Sequence, residues 1–106
     1  MNANEFARVC RTEKDSLVRS YFDDASETAV AAEIRSLSLT DIQVALLRNI
    51  IDGALTDAYY TLLLALDGAA SLGGVQQQFD LRGEAGAKIS GDGELEAAAF
   101  EHFQES

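Results

Sequence analysis

The stretch "VQQQFDLRGEAGAKIS", residues 75–90, decides the fold class. Val75, Gln77, Phe79 and Leu81 fall on one side of it, and Gln76, Gln78, Asp80 and Arg82 on the other. That alternation is the period of a strand. "RGEAGAKIS" then reads as a turn into a second strand. Setting Leu81 opposite Ile89 leaves Glu84, Ala85 and Gly86 as a three-residue loop. Such a loop wants a left-handed residue at its third position, where Gly86 stands. A four-residue loop would set Leu81 against Lys88 and Ile89 against Asp80, which breaks the apolar pattern. A β-hairpin is expected here, packed on helices because two strands alone are marginal in water.

The chain before this stretch is helical in period. Phe6, Val9, Cys10, Leu17, Val18, Tyr21 and Phe22 recur at helical spacing and predict a first helix over 4–22. Asp24 and Glu27 have the spacing of a capping box, which starts a second helix over 25–37 with Val30, Ile34 and Leu37 turned to the core. Thr40 and Gln43 form a T-x-x-Q box, and Leu39 with Val44 occupy the positions of a hydrophobic staple. From Asp41 the pattern runs to Asp67, where Gly68 supplies a left-handed stop; Gly53 is the expected place for any bend. This segment is apolar on two sides, one carrying Val44, Leu47, Ile51, Leu55, Ala58, Leu62 and Leu66, the other Ile42, Leu46, Ile50, Tyr60 and Leu64. A helix apolar nearly all round is expected at the buried centre of its domain, with Arg48 and Asp52 paired on the narrow polar strip between.

"SGDGELEAAAFEHFQES" predicts a last helix, capped by Asp92, with Glu94 and Glu96 near the positive end of its dipole. Leu95, Ala98, Ala99 and Phe103 form its apolar face, with Phe100 beside it. The expected architecture is one α+β domain over residues 1–106. It has three N-terminal helices, the long one central, then a β-hairpin and a C-terminal helix. Length and composition agree with a single domain, since 106 residues with 47% hydrophobic and 25% charged side chains suffice for one modest core.

Charge narrows the function. Eighteen acids against eight bases give a net charge of −10. Residues 1–66 hold ten acids and six bases, and residues 67–106 hold eight acids and two bases, so the C-terminal part is more acidic in fewer residues. Such a field repels phosphate backbones and anionic lipid, which argues against nucleic acid and membrane as partners, and it attracts a basic protein. Solubility alone is the plainer use of the same charge. Lone Cys10 has no internal disulfide partner, Met1 leads into polar "NANE" rather than a signal peptide, and the longest apolar run, Ala58 to Leu66, is half a bilayer span. A cytoplasmic location follows as an expectation.

Motifs for chemistry are sparse. His102 is the only histidine and Cys10 the only cysteine, so nitrogen and sulfur ligands for zinc cannot be assembled. A serine–histidine–acid arrangement would need His102, close to the chain end, where geometry is poorly held. "SLGGVQ" and "GEAGAKISGDG" lack phosphate-loop register, and "GDGE" lacks the acid spacing of a calcium loop. No catalytic residue, cofactor or metal is expected. Asp57 is the exception to weigh, since Leu46, Ile50, Gly53 and Leu64 are its neighbours on the helix and Tyr60 lies one turn on. It must be exposed, hydrogen-bonded or protonated. A structural pairing with Tyr60, a backbone amide, Arg19 or Arg35 is the plain expectation; a small pocket of Asp57 and Tyr60 beside Gly53 is the functional one. Of Tyr59 and Tyr60, which diverge by about a hundred degrees, one can be core while the other reaches a surface.

The order of long helix, "LDGAASLGG", strand, "RGEAGAKI" and acidic terminal helix resembles a family of small uncharacterised bacterial proteins, some of them grouped with toxin-immunity proteins. The resemblance spans residues 39–103 and rests on "LDGAASLGG" and the "EAG" turn. It implies a neutralising role and carries over no site residues.

The functional expectation is a non-catalytic acidic binding protein, immunity- or inhibitor-like, that neutralises a basic partner by electrostatic steering and occlusion. Asp80, Glu84, Asp92, Glu94, Glu96 and Glu101 are the expected contact residues. The alternatives are a small enzyme or ligand binder using Asp57 and Tyr60, and a self-associating accessory protein whose two-sided helix buries one side against a second copy as a homodimer.

Overall fold

A computed structural model describes residues 1–105. Four helices follow one another: α1 (Ala3–Tyr21), α2 (Ala29–Ser36), α3 (Asp41–Leu66) and α4 (Glu94–Phe103). The hairpin is absent, and the fold is all-helical rather than α+β. Among the described residues only two isolated bridges occur, Leu72 with Val75 and Arg82 with Lys88.

Competition for hydrogen bonds explains why the ladder fails. The Ile89 amide donates to the Leu81 carbonyl at 2.8 Å, which is one rung. The return rung is lost, because the Leu81 amide donates instead to the Ser90 hydroxyl at 2.9 Å, and that hydroxyl donates to the Phe79 carbonyl at 2.7 Å. The next rung would need the Gly91 amide, which the Asp67 carboxylate holds. A side chain and a distant acid thus satisfy the groups that a second strand would have paired. Ser90 is fully buried, and Ile89 beside it joins the core.

Helix ends follow local chemistry. Asn2 caps α1 by accepting the Glu5 amide at 2.8 Å. The capping box of Thr40 and Gln43 opens α3, and Gly68, at φ 78°, turns the chain at its end. The helix is continuous through Gly53. The second helix departs from expectation: Thr28, not Asp24, is its N-cap, and it starts at Ala29. The Arg35 guanidinium holds residues 23–26 out of the helix by donating to the Asp23 and Ser26 carbonyls. Asp92 does accept the Glu94 amide at 3.0 Å, from one residue before the Gly93 N-cap of α4.

The core gathers at one end. Ala3 and Ala7 of α1, Leu63 of α3, Ile89, and Leu95, Ala98, Ala99 and Phe103 of α4 form one buried cluster. Small side chains on α1 and α4 allow the two backbones close approach. The Arg11 side chain caps the far end of α4 through the His102 carbonyl. Tyr59 stacks on Phe103 with ring centres 5.9 Å apart. Asp67, itself buried, ties α3 to α4 through the Gly91 and Glu96 amides.

The opposite end is thin. Among the described residues, α2 packs on α1 and on no other helix, and the N-terminal half of α3 gives no member to the buried cluster. Ile42, Leu46 and Ile50 are 76%, 58% and 67% exposed, so α3 is not the buried centre that its sequence suggests. Val30 and Leu37 of the second helical region are exposed as well, against expectation; Ala31 is the buried residue there. A cavity of about 360 Å³ remains between Tyr21, Phe22, Ile34, Leu39 and Val44. Arg48 and Asp52 do not pair: the guanidinium sits 5.8 Å over the Phe22 ring, and Asp52 accepts from Lys14 at 2.6 Å. The molecule measures 46 × 29 × 24 Å.

Candidate functional site

Where α3 meets α4, a shallow groove of about 570 Å³ opens, lined by Tyr60, Gly93, Glu96, Ala97, Phe100, Glu101 and Glu105. Helical spacing builds one wall. Glu96 and Phe100 stand four apart on α4, as do Ala97 and Glu101, so two acids and a ring share its outer face. Leu95, Ala99 and Phe103 point inward, which fixes the rotation of α4 and leaves Phe100 47% exposed. Tyr60, half-buried, supplies the other wall from α3. The lining holds three carboxylates, two aromatic rings and no basic side chain.

Glu101 is positioned from α1. Its carboxylate accepts from the Asn4 amide at 3.1 Å, and Asn4 also lies 3.4 Å from the His102 ring. Glu101 borders a second, smaller hollow with Asn2, Asn4 and Glu94, so acid lies on both sides of the α4 ridge.

The expected contact residues separate into groups. Glu96 and Glu101 meet in the groove. Glu94 faces the smaller hollow, and Asp92 is engaged at the start of α4. Glu84 stands exposed in the turn after residue 82. Asp80 is paired with Arg82 at 3.1 Å, so its charge is locally balanced. Asp57 is exposed, pairs with neither Arg19 nor Arg35, and does not line the groove that takes Tyr60.

Sequence reasoning missed Phe100 and Glu105 as site residues. The row of Glu96 and Phe100 was the available signal, because it lies off the buried row of α4. It also missed the buried Lys14, whose ammonium is 2.6 Å from Asp52 and 2.8 Å from Asp15. Burial pushes the Asp15 carboxyl up, but hydrogen bonds and charge from Lys14 and Arg11 outweigh it and hold the group below its ordinary value. Burial pushes the Cys10 thiol up.

No helix among the described residues is long and apolar enough to cross a membrane. No protein-family model, curated protein or solved structure matches the chain.

Proposed function

We propose that this protein is a non-catalytic binding protein that takes a cationic segment of a partner protein in the α3–α4 groove, neutralising it as an inhibitor or immunity protein would. The observation that carries this reading is the exposed Phe100 opposite Tyr60, ringed by Glu96, Glu101 and Glu105. A lysine or arginine stem lies well against aromatic faces while its charged head meets carboxylates. The net charge of −10 steers such a partner from a distance, and the groove gives it a defined seat.

Titration with a fluorescent hexa-arginine peptide tests this. Binding is expected to weaken steeply as salt rises. Phe100→Ala and the pair Glu96→Gln with Glu105→Gln should each weaken it at least fivefold. The pair Asp80→Asn with Glu84→Gln removes the same charge elsewhere and should change it less than twofold. Equal losses from the two charge-matched pairs would reduce the effect to bulk charge and overturn the groove.

A further inference from the structure

We infer that the exposed N-terminal half of α3 is a homodimer interface, with two copies packed antiparallel about Leu46. Leu46 meets its own counterpart on the twofold axis, and Ile42 meets the partner's Ile50. This inference is independent of the groove.

Three observations carry it. The first is the row itself: Ile42, Leu46 and Ile50 are spaced by four residues, form one ridge, and are all more than half exposed. Past the ridge, a side chain at Gly53 would meet nothing within 4 Å, so the face ends in an open notch. Antiparallel pairing about Leu46 sets that notch against the start of the other α3, where exposed Leu37 extends the apolar surface. It also opposes the two helix dipoles.

The second is charge. In a chain of net −10, the exposed ridge carries none. Of the three ionised residues of this half, Arg48 and Asp52 are committed to α1 through Phe22 and Lys14, and Asp41 stands exposed beside the end of the ridge. A second copy brings an equally uncharged ridge, with Asp41 and Asp57 exposed beyond its two ends.

The third is area. A monomer of 11.4 kDa is expected to expose about 5,800 Å². This chain exposes 6652 Å². The excess is close to the ~800 Å² that each partner contributes to a stable interface. The radius of gyration, 16.2 Å, likewise exceeds the ~13 Å of a compact chain of this length.

Cysteine cross-linking in a Cys10→Ala background tests the arrangement, with molar mass by sedimentation equilibrium beside it. The unmodified chain is expected at twice 11.4 kDa. Leu46→Cys should form a disulfide dimer on mild oxidation. Ile42→Cys alone should not, whereas an equal mixture of Ile42→Cys and Ile50→Cys should; Glu84→Cys is the remote control. Leu46→Lys, at a position already exposed, should give a folded monomer with unchanged helical signal. A monomeric mass at millimolar concentration, a dimer that survives Leu46→Lys, or efficient Ile42-to-Ile42 cross-linking would each overturn the proposal.

Discussion

The Asp67 carboxylate accepts the Glu96 amide at 2.9 Å, so the residue that closes α3 also caps the first turn of α4. Its other oxygen takes the Gly91 amide. One buried acid thereby sets the angle at which the acidic helix leaves the core. Asp67→Ala strands both amides and is expected to cost about 2–3 kcal/mol. Asp67→Asn keeps one acceptor and should cost less. Urea unfolding of the two variants checks the order.

Ser90 does the work of a missing strand. Its hydroxyl is fully buried and bonded on both sides, to the Leu81 amide and the Phe79 carbonyl. Ser90→Ala leaves two backbone groups without partners, at about 1–3 kcal/mol. Circular dichroism should show the helices unchanged, while amide exchange at Leu81 accelerates.

Neighbouring leucines on α3 should behave differently. Leu63 is 2% exposed inside the cluster, and Leu62 is 42% exposed. Leu63→Ala is expected to cost about 2–5 kcal/mol, since it removes packing and leaves a cavity. Leu62→Ala should stay within about 1 kcal/mol. Matched denaturation curves decide it.

The Lys14 cluster should be asymmetric. The Lys14 side chain is 3% exposed, whereas those of Asp15 and Asp52 are 39% and 49% exposed. Neutralising both acids leaves a buried cation without a counter-charge, which costs about 3–5 kcal/mol. Lys14→Met lets the two acids rehydrate in place and should cost clearly less. Thermal unfolding of Asp15→Asn with Asp52→Asn against Lys14→Met checks the order.

The same cluster gives a pH dependence. The folded Asp15 carboxyl lies below its ordinary 3.8, so its stabilising contribution is present above that value and is lost as pH falls through the lower, folded one. Wild type and Asp15→Asn should therefore differ in stability at pH 7 and converge under strong acid. A gap that widens on acidification would contradict this sign.

Much of the helical frame was legible because its signals are local. The Thr40 box, the Gly68 stop and the inward row Leu95, Ala98, Ala99 and Phe103 each depend on residues within a turn or two. The hairpin was misread because its alternation is genuine in sequence while its rungs are taken by Ser90 and by Asp67, an acid far away along the chain. The start of α2 was misread for a similar reason, since Arg35 overrides the Asp24 box from the far end of the helix. Two apolar sides on α3 were legible, but whether another element covers both is a matter of topology. Half of the groove could be read from the spacing on α4; the arrival of Tyr60 opposite Phe100 could not.

The helix α3 passes from the dense cluster around Leu63 to the bare ridge around Leu46 without a break. A single element therefore spans two regimes of local stability. Its last turns are buried in that cluster, while its first turns are held by the Thr40 cap and, on one side only, by α1 through Phe22 and Lys14. A contact made at the ridge is expected to slow the opening of those first turns.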